Sequence, residues 1–349
     1  MGPDMTVPNK ILFINNWAKG NPYSGAHIAT EYLAAAIKKT KILNPVKYYL
    51  PQPQHKNEVI KDGIICLINA IKILYFSIFN DPLLYGLNIN YIQPMTDSKN
   101  YKFTKYSKLW LIYYNTILYF PLYILKRKNS KKPKLYLFVS KEALNKLGKN
   151  FDDGHKELLY PMSKYIYKDQ KVNFDRKDKH LVLTISRYDK TKKLEVVGKI
   201  SNLLPDFKFV VVGYKSDFNR YYDYLRDKYP KVKFLFNISE SQKVKLLKSS
   251  SIYLHPAENE PSALSIIEAM KFSCIPAVQN SGGNVEKLPI NYRAKTIAEF
   301  IKIIKGSHNK KERSKIIKLA NKFNGSYFDN RVKKLLKQYE KELQESINK

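Results

Sequence analysis

Cysteine is nearly absent: Cys66 and Cys274 are the two in 349 residues. Both lie in apolar surroundings and form no metal-binding pattern, which points to buried free thiols in a reducing cytoplasm. Acidic side chains are scarce as well. There are 30 Asp and Glu against 62 Lys and Arg, a formal net charge of +32. That excess suits phosphorylated substrates, acidic lipid or nucleic acid, and it equally suits the Lys-, Ile-, Asn- and Tyr-rich style of an AT-rich genome. The cations are spread along the whole chain without a recognised nucleic-acid motif, so a nucleic-acid partner is not expected. The first residues, MGPDMTVPNK, lack the apolar core of a secretory signal. No internal repeat is present. The longest uncharged apolar run, residues 109–125 (LWLIYYNTILYFPLYIL), has 17 residues and falls at the lower limit of a membrane span. Asn115, Thr116 and Pro121 weaken that reading. Flanked by Lys105, Lys108, Lys126, Arg127 and Lys128, the run reads as a domain helix whose aromatic face touches an anionic membrane surface.

What is present is an alternation of short apolar runs and helix-patterned segments. Hydrophobic residues make up 44% of the chain, enough for a sizeable core. Strands are expected at 11–15, 46–50, 89–93, 135–139, 157–161, 180–186, 208–213, 232–237 and 252–254. Helices are expected at 26–39, 61–79, 141–147, 194–203, 240–248 and 262–270. This order implies an α/β protein with parallel, doubly wound sheets. The length suits two domains, here 1–165 and 180–323, joined by a polar, charged linker at 166–179 and followed by a helix over 324–349.

The densest chemistry lies at 251–278 (SIYLHPAENEPSALSIIEAMKFSCIPAV). A buried strand leads through a polar turn into a helix expected to begin near Pro261 and Ser262. Its free N–H groups and dipole would then face an anion above the strand end. Glu260 stands just before that helix and Glu268 inside it. Carboxylates near a helix start also arise simply because they offset the dipole. Downstream come Ile275-Pro276-Ala277-Val278 and then Ser281-Gly282-Gly283-Asn284-Val285-Glu286. Earlier, Arg187 and Lys192 stand five apart ahead of a helix. Gly213 ends a strand, Gly25 ends a loop before the first helix, and Gln93 closes a strand.

The order of strand, acidic turn, E-A-M helix, strand and double glycine resembles the retaining glycosyltransferases of family 4, the glycosyl transferases group 1. The resemblance implies the GT-B fold, two Rossmann-like domains facing a central cleft, with a sugar nucleotide as donor. It implies Arg187 and Lys192 on the donor diphosphate, Glu268 on the ribose and Glu260 on the transferred sugar. The amides of Ser262, Ala263 and Leu264 would cradle phosphate, with Gly213, Gly282 and Gly283 lining the donor side. Gly25 would serve the acceptor or phosphate loop, and Gln93 stands where members often carry His. No cofactor and no metal are expected, since no D-x-D pair is placed beside the diphosphate. The acceptor would be a lipid-linked or other glycan, met in the cytoplasm or on the cytoplasmic face of a membrane. There are departures. Ser24 and Lys193 replace usual glycines, and Glu260-Pro261-Ser262-Ala263 replaces the flexible E-G-F-G, so donor identity does not carry over. A basic nucleic-acid-modifying protein and an inactive scaffold of the same fold are the alternatives.

Overall fold

The computed structural model describes residues 10–15, 25–49, 59–79, 83–84, 135–150, 154–162, 174–215, 220–306 and 308–347. They fall in two compact units. One comprises Met1–Phe138, Leu144–Leu159 and Phe328–Lys349; the other comprises Val139–Ala143 and Tyr160–Tyr327.

In the first unit, β1 (Lys10–Asn15) pairs in parallel with β2 (Asn44–Tyr49) and with the short β3 (Leu83–Leu84). A separate parallel pair joins β4 (Leu135–Phe138) to β5 (His155–Leu158). The helices are α1 (Gly25–Thr40) and α2 (Val59–Phe79), with α3 (Lys141–Leu147) beginning in the second unit. In α1, Ala29, Leu33, Ala36 and Ile37 recur at helical spacing and are buried. The C-terminal helix α10 (Gly325–Ile347) does likewise with Phe328, Val332, Leu335, Leu336 and Tyr339. Its Asp329 pairs with Lys39 at 2.7 Å and its Arg331 with Glu157 at 2.6 Å.

The second unit is a six-stranded parallel sheet in the order β8-β7-β6-β9-β10-β11. These strands are β6 (Asp178–Ile185), β7 (Lys208–Gly213), β8 (Val232–Phe236), β9 (Ser250–His255), β10 (Ile275–Gln279) and β11 (Arg293–Ala294). Numbered from β6, the order is 3-2-1-4-5-6, the doubly wound Rossmann arrangement. The apolar runs of β6, β7 and β9 are buried without alternation, as a sheet covered on both faces requires. One face packs Val182, Val211, Ile252 and Leu254 against Val197, Ile200, Leu225, Phe300 and Ile304. Those side chains come from α4 (Glu195–Leu203), α5 (Arg220–Lys228) and α8 (Ile297–Lys305). The other helices of this unit are α6 (Glu240–Ser249), α7 (Leu264–Lys271) and α9 (Lys310–Asn321). Fully burying a Leu or Val contributes about 1.5–3 kcal/mol, so Leu183 and Leu254, both wholly buried, fix the sheet's register at its centre.

Three expectations shift. Helix α7 begins at Leu264, not at Pro261 or Ser262, with Ala263 at its N-cap. The strand expected at 157–161 is β5, His155–Leu158. Of the expected linker, 174–179 belongs to the second unit: β6 starts at Asp178 and Lys177 is buried, its ammonium donating to the carbonyls of Leu247 and Ser250. The strand expected at 89–93 and the run at 109–125 lie outside the described residues.

Candidate active site

Strands β6 and β9 are neighbours whose outgoing connections lead to opposite sides of the strand order, so their carboxyl ends form the topological switch point where open α/β sheets bind ligands. The loop leaving β6 is pinned by Tyr188. Its buried ring lies edge-on to Tyr222 at 4.8 Å, and its hydroxyl donates to the carbonyls of Val211 and Leu235. Arg187 and Asp189 flank this anchor. Asp189 Oδ1 accepts from the Thr191 amide at 2.8 Å, capping a single 3-10 turn, Lys190–Lys192. Burial would raise the Asp189 carboxyl, but Arg187 and the Thr191 bonds outweigh it and hold the group below its usual range. The next residue, Lys193, adopts the left-handed conformation at φ 50°. The related pattern has glycine there, which takes that conformation without strain. Here the Lys193 ammonium is tied to Glu258 instead.

The turn delivers Lys192 into the interior, where its Nζ contacts Glu260 Oε1. The other oxygen, Oε2, lies 2.9 Å from His255 Nε2. Burial first, then Lys192 and Lys287, push the His255 imidazole down to about 3. The ring is therefore neutral near pH 7, and beside an acceptor-only carboxylate Nε2 carries the proton and donates it. Glu260 is thus clamped at both oxygens, by an ammonium from the turn after β6 and an imidazole from the end of β9. Burial and then Arg187 bring the Lys192 ammonium down to about 7, with Asp189 opposing them; the touching Glu260 carboxylate acts in the same sense as Asp189.

The clamp depends on the double glycine. Gly282 has φ +71°, and a side chain there would meet the Glu260 backbone at 2.5 Å. At Gly283 an added Cβ would lie 1.9 Å from the Pro261 carbonyl oxygen; its amide donates to the Glu260 carbonyl at 2.9 Å. Asn284 Oδ1 then accepts from the Ala263 amide at 2.8 Å. This long-range bond holds residues 260–263 out of the helix and delays α7 to Leu264. Of the three amides expected to cradle phosphate, that of Ala263 is therefore occupied by Asn284. Gly213 also marks a close approach, since a Cβ there would stand 2.0 Å from the Ser186 carbonyl oxygen.

Glu268 lies in the second turn of α7, buried, with one oxygen 3.5 Å from Lys243 on α6. Burial opposes the charge on Lys243, but Glu268 and Glu240 outweigh it and raise its ammonium. Glu286, the end of the double-glycine run, accepts from the amides of Lys141 and Glu142 at 2.9 and 2.8 Å and from the Tyr160 hydroxyl at 2.7 Å. It therefore caps the start of α3. Gly25 opens α1; the loop before it and Gln93 lie outside the described residues. Sequence reasoning passed over His255, Asn284 and Lys287. His255 lies one residue beyond the strand expected at 252–254, and Asn284 and Lys287 stand beside the double glycine without a spacing of their own. Among the described residues, no group of three or more His, Cys, Asp or Glu is arranged to hold a metal ion.

Residues 166–342, half of the chain, match the family described as Glycosyl transferases group 1. Among curated proteins, glycogen synthase of Fusobacterium nucleatum is 27% identical over 144 residues, which are 38% of this chain and 31% of that protein. Glycogen synthase of Petrotoga mobilis is 30% identical over 115 residues, 31% of this chain and 23% of that protein. The matched segment thus spans under a third of these relatives' length. Among solved structures, sucrose-phosphate synthase from Thermosynechococcus elongatus superposes with a TM-score of 0.63 at 14% identity, covering 95% of this chain and 98% of that one. Anabaena HepE in complex with UDP-glucose gives 0.60 at 14% identity, covering 94% and 99%. At that identity the likeness speaks for the fold, α/β of the GT-B type. By the family match and the fold together, the chain belongs to the glycosyl transferases group 1 family.

Proposed function

We propose that the protein is a retaining glycosyltransferase that moves a sugar from a nucleoside-diphosphate sugar to a glycan acceptor without a metal. The observation that carries this reading is Glu260, clamped between Lys192 and His255 at the switch point of the sheet. A carboxylate fixed at both oxygens beside a helix start suits hydrogen bonding to sugar hydroxyls. Arg187 and Lys192, with the Ser262 and Leu264 amides, would balance the diphosphate. Glu268 would take the ribose hydroxyls, sharing its carboxylate with Lys243. In the reaction the bond from the anomeric carbon to the leaving phosphate oxygen breaks. A bond to the acceptor oxygen forms on the same face, and the acceptor proton passes to the departing phosphate. The enzyme then supplies position and charge rather than a base.

The test pairs an activity assay with calorimetry, UDP-glucose and UDP being the first ligands tried. Glu260→Ala should abolish transfer and leave nucleoside-diphosphate affinity nearly intact, whereas Glu268→Ala should weaken the nucleotide itself. Equal loss of nucleotide affinity in both variants would overturn these roles. Activity should survive EDTA in a protein whose circular dichroism is unchanged.

The finer proposal is an acceptor borne by lipid, on the cytoplasmic face of an anionic membrane. It is supported by α2, where Ile64, Leu67, Ile68, Ile71 and Tyr75 form one exposed apolar stripe with exposed Lys61 and Lys72 along its flank. No helix among the described residues is long and apolar enough to cross a membrane. Flotation should show binding to anionic vesicles that weakens with salt; no binding at low salt would overturn it.

A further inference from the structure

Lys287 follows the double-glycine run, and its side chain is 3% exposed. Its ammonium donates to Ser262 Oγ at 2.6 Å and to the Ala263 carbonyl oxygen at 3.3 Å. Both acceptors are uncharged. The adjacent Glu286 carboxylate is engaged with the Lys141 and Glu142 amides and Tyr160, and it acts on Lys287 only through space. Among the described residues no carboxylate pairs with this ammonium.

Its position makes this costly. Ser262 and Ala263 immediately precede α7, so the ammonium is buried at the positive end of a helix dipole. Desolvation and dipole both disfavour a cation there, and a second buried ammonium, Lys192, acts on the same His255. Glu260 is already bonded to Lys192 and His255. One further donor at this place is buried without a partner, Asn284 Nδ2. Asn284, wholly buried, is anchored to the Ala263 amide and so sits at the same helix start. The Ser262 hydroxyl is half-buried. It accepts from Lys287 and retains its own proton, which no described residue takes. A positive helix end, a buried cation and unspent donors share one deficit, a negative charge.

We propose that Lys287 and Ser262 form a relay pair on the anion side of the site: Lys287 is a positioning residue that polarises the Ser262 hydroxyl toward a phosphate oxygen of the bound ligand, with the Asn284 amide beside it. The identity of that ligand as a sugar nucleotide rests on the function proposed above; the charge argument does not. Neither residue belongs to the Arg187–Lys192 arm, and Lys287 stands 25 residues beyond Ser262.

Calorimetry on the full chain with inorganic pyrophosphate and with UDP tests it, alongside melting of the ligand-free protein. Lys287→Met should leave the ligand-free melting temperature unchanged or raise it, because an uncompensated buried cation is removed. It should weaken both probes on the order of tenfold or more, the scale of a lost charge-assisted hydrogen bond. Ser262→Ala should weaken them similarly, and the double variant no further, since the two act as one unit. Lys287→Arg should recover part of the affinity. Wild-type affinity in Lys287→Met, or strictly additive losses, would overturn the pair and leave the donor reading standing. If the wild type binds pyrophosphate but not UDP, and Lys287→Met loses pyrophosphate, the pair stands and the donor reading falls. A wild type that binds neither probe overturns both. Should Lys287→Met fail to fold, unchanged affinity in Ser262→Ala overturns the pair by itself.

Discussion

Lys177 and Lys287 are buried to about the same degree in the same unit, at 7% and 3% exposure, yet they stand at opposite helix ends. Lys177 lies where α6 runs into β9 and donates to the carbonyls of Leu247 and Ser250 at 2.9 and 2.5 Å, with Cys274 Sγ at 3.5 Å. That is the negative end of α6, so backbone and dipole both favour the charge. Arg313 does the same nearby, donating to the carbonyls of Ser251 and Ser273 at 3.1 and 2.8 Å, at the starts of β9 and β10. At the carboxyl ends of the strands the situation is reversed. Lys287 faces a helix N-terminus with neutral acceptors, and Lys192 shares Glu260 with His255. A buried cation whose charge is balanced by fixed backbone is a brace. One whose charge is not balanced is prepared for a ligand.

The sharpest way to break this comparison is to remove each charge. Lys177→Met strips two carbonyls of their donor and should lower stability by about 3 kcal/mol, read as a fall in the urea midpoint. Lys287→Met, by contrast, should be neutral or stabilising. If both variants lose stability alike, the distinction fails.

A second test disturbs the ligand end alone. Gly283→Ala forces a Cβ toward the Pro261 carbonyl and Ser140 and should cost about 1–3 kcal/mol, as overpacking does. Calorimetry should show weakened UDP binding with the sheet's circular dichroism retained. Intact binding would mean that the 260–263 turn need not sit against the glycines.

Acidity sharpens the comparison further. Burial holds Lys287, and burial with Arg187 holds Lys192, at about 7. A folded value below the unfolded one means that between the two the unfolded chain carries more protons. Stability therefore rises with pH above about 7 and has gained fully only past the unfolded lysine range. Anion affinity should move the other way, falling as pH climbs through 7 and these ammoniums discharge. Pyrophosphate affinity that is flat from pH 6 to 8.5 would contradict both values. The smallest effect is expected at Lys193→Gly. Relief of the left-handed strain, about 1–2 kcal/mol, is partly offset by loss of the half-exposed Glu258 pair, worth about 0–1 kcal/mol. The melting temperature should rise slightly with UDP affinity unchanged.

Much of the sheet was legible because its signals are local. The strand expected at 208–213 is β7, residue for residue, since Phe209 to Val212 form an uninterrupted apolar run ended by glycine. The pattern around 251–278 foretold β9, a helix carrying Glu268, and β10. The errors arose where distant residues intervene. Helix α7 starts late because Asn284, 21 residues on, takes the Ala263 amide. Lys177 read as linker charge because its partners lie 70 and 73 residues away. His255 was not singled out because nothing local reveals that Glu260 turns back upon it.

By itself, the sequence determined the class of fold, the parallel order implied by alternating strands and helices, and the residue types gathered near the switch point. Periodicity and propensity act over a few residues, so those features survive without a partner. Only the tertiary structure decided what each charge does. Arg187 and Lys192 were marked by spacing, but whether a buried lysine braces the sheet, as Lys177 does, or waits for an anion, as Lys287 does, depends on which end of which helix it meets. That is a matter of long-range packing, where a few ångströms in a medium of low polarity change the sign of the electrostatic balance.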